Sequence, residues 1–323
     1  MTAIKIIHGV VNSLVLVIIM LLISFAGYAL WDANQISQVA DKANYAVYKP
    51  TAANQGKSFQ ELQALNAEVI AWLHVYGTNI DYPVTQAQDN MKYVNTNAEG
   101  LYSLSGSIFL DCNNSKDFSD FNSILYGHHM AKGAMFGDLE CFSDRAMFDA
   151  HRYGNLYFNG SDHGIEFFAL IHADAYDSAV FTPNVQKEQR RIYYDGLLAM
   201  AAFTRDVGVT VEDRIVLLST CSSHSTNGRD ILVGRLTDEA YDDPAVSAAT
   251  SDKTAQTGPG NQDGLLTEIP ICVLLLVFIL WIRLIVFILA THPRWIRYRK
   301  NKPGGRKPWT NYKKRKDHIH YAH

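Results

Sequence analysis

The sequence predicts a mainly-β domain, a barrel or curled sheet with inserted helices, flanked by N- and C-terminal transmembrane helices. Three observations carry this. Short β-type runs recur through the middle of the 323-residue chain, each bounded by Gly, Asn, Asp or Pro. They lack the regular strand–helix alternation of a parallel α/β sheet. Two apolar segments of 23 residues lie near the ends, at 9–31 and 269–291. Charge is partitioned between these segments. Residues 32–268 hold 16 Lys or Arg and 31 Asp or Glu, a net −15, whereas 292–323 hold eleven Lys or Arg and one acid, Asp317.

Each apolar segment, as a helix, is roughly 34 Å long, enough to cross a bilayer's hydrocarbon core. The first carries no charge, is too long for the apolar core of a signal peptide, and is followed by no clean cleavage site. It predicts an uncleaved anchor. The second contains Arg283, placed to snorkel toward the cytoplasmic end. The basic tail marks the cytoplasmic side, so residues 1–8 and 292–323 are cytoplasmic and 32–268 lie outside. Such a run beside a membrane span reads as a topology signal that binds anionic lipid, ahead of a nucleic-acid arm. Within the outer part, 32–57 form a helix and linker, 58–238 the folded domain, and 239–268 a polar linker rich in Gly, Pro, Ser and Thr.

The domain opens on a helix capped at Ser58 with Glu61 three residues on, followed by a strand ending at Gly77. Strand-like runs follow at 78–84, 106–111, 122–127, 154–159, 165–173, 214–220 and 230–236. Residues 133–144 and 187–206 have helical apolar spacing, the latter with Ile192, Leu197, Met200, Ala201 and Phe203 as its buried stripe. Four cysteines, Cys112, Cys141, Cys221 and Cys272, are too few for a disulfide scaffold. A Cys112–Cys141 bridge is compatible with an oxidising compartment, but two free, partly buried thiols fit better.

The stretch "RIVLLSTCSSHSTNGRDILVGRL" ends an apolar run at Cys221 and opens the next at Arg229. If the loop between them is a hairpin connection, Arg229 lies beside Cys221. An arginine cannot act as a base, so its chemistry is to bind a carbonyl or an oxyanion. A base must come from elsewhere. In "ILYGHHM", His128 or His129 ends a strand as Cys221 does; His224 is nearer in sequence but sits in a polar loop. On spacing alone, a buried structural cysteine explains Cys221 better than a nucleophile does.

The run "LSTC" with an arginine eight residues on, and "ILYGHHM…MFGDL" upstream, resemble the sortases, cysteine transpeptidases of Gram-positive cell surfaces. Residues 65–94 resemble the family's opening strands and 106–114 its next one. The helix at 187–206 resembles the insertion of class B members. The likeness covers about residues 58–238. It implies an eight-stranded β-barrel with His128 as the catalytic histidine, Cys221 as the nucleophile, and Arg229 as the substrate- and oxyanion-binding arginine. The neighbourhood of Thr220 and Cys221 would line the pocket. The implied reaction cleaves a C-terminal sorting signal of a secreted protein or pilin after a threonine, through a thioacyl intermediate. An amine on a peptidoglycan precursor or a pilin lysine then takes the acyl group, with no metal or organic cofactor. The second span is more usual in class C, the pilin-polymerising sortases. The Asp-Pro-aromatic lid motif of that class is absent from 32–60.

Rivals remain at this level. An L,D-transpeptidase would show His-Gly directly before its cysteine, where Ser219 and Thr220 stand here. A papain-like peptidase and a membrane-tethered binding or sensor domain with a structural Cys221 are others. A zinc site on His128, His129 and Cys221 lacks a local ligand pair.

Overall fold

The structure, a computed structural model, describes residues 2–51, 56–222 and 226–244, with Leu280 and Arg283. The rest of the predicted second span, Cys272, His224 and the basic tail lie outside the described residues. Helix α1 (Thr2–Val39) contains the first apolar segment and is long and apolar enough to cross a membrane. Its apolar side chains are exposed along its length, and it continues eight residues past Trp31.

A 3₁₀ turn over Lys42–Tyr48 follows, capped by the Asp41 carboxylate, which accepts from the Ala43 N–H. Tyr45 is buried, and the Tyr82 hydroxyl donates to the Ala40 carbonyl at 2.9 Å. The chain after α1 is thus fastened to the domain. Helix α2 (Lys57–Leu65) buries Phe59 and Leu62. It starts one residue before the predicted Ser58 cap. Gly56 holds the cap position at φ 72°, a conformation that costs glycine nothing, and has no side chain with which to cap the helix.

Strands β1 (Val69–Val75), β2 (Asp81–Thr85), β3 (Ile108–Leu110) and β4 (Asn122–Tyr126) follow, each within a few residues of a predicted run. The helical spacing of 133–144 resolves into 3₁₀ turns at Ala131–Gly133 and Gly137–Ser143, then α3 (Arg145–Ala150), capped by Asp144. Strands β5 (Tyr153–Phe158) and β6 (Ser161–Asp174) form a hairpin about Asn159–Gly160, both at positive φ, as a tight two-residue turn demands.

The helix expected over 187–206 is shorter. Helix α4 (Arg190–Met200) stops at Met200, and β7 (Ala201–Thr204) continues directly from it. Of the expected stripe, Leu197 is buried and Ile192 is exposed; Tyr193, four residues before Leu197, takes the buried face instead. Strands β8 (Arg214–Cys221) and β9 (Gly228–Thr237) end the sheet.

Pairing runs β5–β1–β2–β3–β4–β8–β9–β6, and β6 closes on β5, giving a ring of eight strands. Strand β7 lies outside the ring on β6. An eight-stranded barrel has room inside for side chains only, so α4 must cover an outer face. Tyr193 and Leu197 pack there with Ile124, Ile215, Leu217, Ile231 and Val233. The alternate residues Leu125, Val216, Leu218 and Leu232 belong to the other core. This two-residue alternation fixes the face of every side chain at the ends of these strands. Beyond β9, residues 239–244 lie along the barrel. The Tyr76 hydroxyl donates to the Tyr241 carbonyl at 2.8 Å, and Tyr241 stacks on Tyr153 at 4.3 Å.

His74 on β1 is largely buried beside Tyr76. Burial pushes its pKa below the ordinary histidine value; Asp81 opposes this, Lys49 adds to it and Asp243 opposes it. The native state therefore binds this proton more weakly than the unfolded chain, which takes it up near pH 6.5. The associated stability is complete above about pH 6.5 and is lost as pH falls. We expect the urea midpoint of the wild type to fall more steeply between about pH 7 and pH 5 than that of His74→Asn. Parallel curves would rule His74 out as the group responsible.

Candidate active site

The site is set by three adjacent strand ends. Strand β8 runs antiparallel to β9 with Cys221 opposite Arg229. The Ser222 N–H donates to the Gly228 carbonyl at 2.9 Å, marking that pair as hydrogen-bonded. Cys221 and Arg229 are therefore a non-hydrogen-bonded pair, the kind whose side chains stand closer. On its other side β8 runs parallel to β4, pairing Asn122 with Ile215 through to Tyr126 with Ser219. The Gly127 N–H donates to the Ser219 carbonyl at 3.2 Å, and the Thr220 hydroxyl to the Gly127 carbonyl at 2.9 Å. Two further steps of this register bring His128 level with Cys221.

His128, Cys221 and Arg229 thus form one row across β4, β8 and β9, with neighbouring strands about 4.8 Å apart. Alternation puts all three on the outer face, in line with Ile124 and Tyr126, with Leu217 and Ser219, and with Ile231. Cys221 is exposed and Arg229 half-buried. Arg229 donates from Nη1 to the Gly228 carbonyl at 2.9 Å and meets no carboxylate among the described residues. Its charge is therefore available to a ligand. The His128 Nε2 lies 2.8 Å from the Val94 carbonyl. A carbonyl can only accept, so Nε2 carries the proton in this contact and Nδ1 is the nitrogen that can gain or lose one.

Two segments flank the row. On one side, the loop containing Val94 holds the His128 ring. On the other, Phe181 stacks on Tyr126 at 6.3 Å, and the Ala175 N–H donates to the Asn227 carbonyl at 2.8 Å. The latter bond ties the Cys221–Arg229 connection to that segment. Below the row, the Tyr126 hydroxyl donates to Asp111 at 3.0 Å. Burial and then the Asp111 charge push the Tyr126 pKa far up, so it stays a neutral donor.

The loop after His128 folds back tightly. The Phe136 N–H donates to the His128 carbonyl at 3.0 Å, and His129 pairs with Glu140 at 3.0 Å. Gly137 permits this return, since a Cβ there would collide with the Met130 carbonyl oxygen.

Of the predicted site residues, His128, Cys221 and Arg229 come together. Thr220 faces the opposite way, is 2 % exposed, and spends its hydroxyl on Gly127. Cys112 and Cys141 are free thiols; Cys112 is half-buried and Cys141 exposed. Burial and then Asp111 raise the Cys112 pKa, and burial and then Asp138 and Glu140 raise that of Cys141. Acidic neighbours make both poor thiolates.

Two parts of the site had no sequence signal. One is the Val94 carbonyl, a backbone group. The other is Asp230, buried directly after Arg229, whose Oδ1 lies 2.7 Å from His172 Nδ1 on β6. This pair fastens the first rungs of β9 from behind the row. It joins residues 58 positions apart, which only the pairing of β6 with β9 brings together.

An exposed thiol between an imidazole and a guanidinium that meets no carboxylate among the described residues, at the rim of a closed barrel, is an arrangement suited to covalent acyl transfer. Fold and site together define a cysteine transpeptidase. Sortase B of Listeria monocytogenes is 30 % identical over 218 residues, covering 65 % of this chain and 88 % of that protein. The solved sortase B from the Type II pilus of Streptococcus pneumoniae is 46 % identical with a TM-score of 0.50, covering 56 % of this chain and 99 % of its own. A Streptococcus pyogenes class B sortase involved in pilus biogenesis is 39 % identical with a TM-score of 0.52, covering 56 % and 99 %. No family model matches the chain. The chain belongs to the sortases and has a class B core.

Proposed function

We propose that this sortase is held in the plasma membrane of a Gram-positive bacterium and cleaves a C-terminal sorting signal after threonine, passing the acyl group to an amine. The row of His128, Cys221 and Arg229 on one face carries the reading. Cys221 Sγ attacks the threonine carbonyl carbon, its thiol proton passing to His128 Nδ1. Arg229 donates to the oxyanion. The C–N bond breaks as His128 returns the proton to the leaving amine, which leaves a thioester on Cys221. The acceptor amine attacks that thioester and gives a proton to His128, and the C–S bond breaks as His128 passes that proton to Sγ, regenerating the thiol. Thr220 acts from behind, keeping β4 and β8 level through Gly127, rather than by touching substrate.

Two of the similar structures come from pilus systems by name, which supports a pilin as the protein carrying the signal. The acceptor is then a pilin lysine, with a peptidoglycan-precursor amine as the competing product. Helix α1 and the predicted second span would hold the domain outside, with the basic tail on anionic lipid at the cytoplasmic face.

Mass spectrometry of products from the full chain, given signal peptides and both amine types, identifies motif and acceptor. His128→Ala should lower turnover by roughly 10²–10⁴-fold, the scale of general acid–base catalysis, while His129→Ala is tolerated. The reverse result would reassign the base to His129.

A further inference from the structure

The end of β6 nearest the row has two registers open to it on β9, one residue apart. The two strands pair without a break from Gly164–Thr237 to Phe167–Gly234, skip Phe168, and resume at Ala169–Val233. The skipped residue makes a β-bulge, which turns over every side chain beyond it. Phe168 and Ala169 therefore both lie in the outer core under α4, Leu170 lies in the other core, and Ile171 and Ala173 are outside again. In this register Ala173 opposes Arg229 and His172 opposes Asp230. Without the bulge, each residue from Ala169 on would move one place along β9 and change face. Ile171 would then oppose Asp230, and His172 would stand outside beside Arg229, where Ala173 now leaves room.

Burial does not choose between the two. Phe167 to Ile171 are five consecutive apolar residues, each 0 % exposed, and so are Ile231, Leu232 and Val233 opposite them. Strands apolar on both faces specify their register weakly. The polar pair at the end does choose. The bond from the Ala175 N–H to the Asn227 carbonyl marks that pair as hydrogen-bonded, so His172 and Asp230, three places along, are a non-hydrogen-bonded pair with their side chains close. The His172 Nδ1 donates to the Asp230 carboxylate at 2.7 Å. Asp230 is wholly buried, and its Oδ2 meets no partner among the described residues. A buried carboxylate bonded at one oxygen is a poor source of stability; its best-attested use is to specify register. In the unbulged register Asp230 would lose even that bond.

We propose that His172 and Asp230 are positioning residues for acyl transfer. Their bond selects the bulged register of β6 on β9, which gives Arg229 the small Ala173 as its neighbour in the row and keeps an imidazole from crowding the guanidinium. The proposal rests on Arg229 acting on the oxyanion. Neither residue touches substrate; both act through Arg229, the chain neighbour of Asp230.

The test uses the full chain in detergent with N-acetyl-threonine p-nitrophenyl ester. Cys221 attacks the ester carbonyl, the C–S bond forms, the C–O bond breaks and nitrophenolate leaves, the thiol proton passing to His128. The fast phase that Cys221→Ala lacks reports acylation of that thiol. The double replacement Asp230→Leu, His172→Leu fills the site with apolar groups, so the thermal midpoint should hold or rise. Acylation should slow by roughly 10–100-fold, up to the cost of a misplacement of about 1 Å. The loss should fall on the maximal rate and not on the half-saturating ester concentration. In an Arg229→Ala background the same double replacement should cost nothing further. Amide exchange over residues 168–174 should quicken with the double replacement and not with Arg229→Ala. His172→Ala, at an exposed position, carries the same cycle if the double replacement does not fold. Acylation at the wild-type rate, an equal loss in the Arg229→Ala background, or unchanged exchange over 168–174 would each overturn the positioning role alone. Arg229→Ala acylating at the wild-type rate would instead overturn the reading of the site, and the proposal with it.

Discussion

Replacing Cys221 with alanine is expected to abolish acyl transfer and leave the barrel standing. The thiol is the only group in the row able to form the covalent intermediate, and neither His128 nor Arg229 can substitute for it. Removing the nucleophile of a comparable covalent catalyst costs about 10⁶ in turnover, which here means no detectable product. The fold has little stake in the side chain. Cys221 is exposed and is the last residue of β8, and its strand pairing uses backbone groups that alanine keeps. The thermal midpoint should correspond to a stability change within about 0.5 kcal/mol. The intermediate supplies a second readout. Wild type mixed with a signal peptide should gain the acyl mass on the fragment containing Cys221, and the variant should gain none. Cys112 and Cys141, in acidic surroundings, serve as internal controls and should stay unmodified in both. Product formation by the variant, or an acyl group on either other thiol, would sink the assignment.

The two-residue alternation and the Gly, Asn and Asp boundaries revealed eight of the nine strands among the described residues, because both are local properties of the chain. The exception, β7, was hidden inside a helical pattern. Leu197, Met200, Ala201 and Phe203 suit either period, and no Gly or Pro separates Met200 from Ala201. What converts the chain there is a partner: Ala201, Phe203 and Thr204 pair with Ile171, Leu170 and Ala169 of β6. The helix start shifted for a related reason, since Gly56 satisfies the turn by its φ and leaves Ser58 inside the first turn. The three residues of the row were named by family resemblance; what the sequence could not state was why they meet. That follows from the parallel pairing of β4 with β8, which makes a separation of 93 residues a step to the adjacent strand. The hydrogen bond from His128 to Val94 and the pairing of His172 with Asp230 depend on the same long-range closure.

Arg229 separates a chemical role from a structural one most sharply. Among the described residues its guanidinium reaches only the carbonyl of its own neighbour, Gly228, and pairs with no carboxylate. The local structure is instead held by the Asp230–His172 contact and by strand pairing. Arg229→Ala therefore removes a charge that the resting fold does not use. If that charge meets the oxyanion, acylation measured in a single turnover should slow by roughly 10²–10³-fold, the usual cost of losing one such donor. Stability should change by less than about 1 kcal/mol, as for a surface substitution. Arg229→Lys keeps the charge as a single ammonium and loses the planar fork, so it should recover only part of the rate. Because the oxyanion exists in the transition state and not in the bound peptide, the loss should fall on kcat more than on KM. A variant whose KM rises while kcat holds would make Arg229 a binding group for the peptide carbonyl. One that loses stability in proportion to rate would make it a structural brace for the Cys221 strand end.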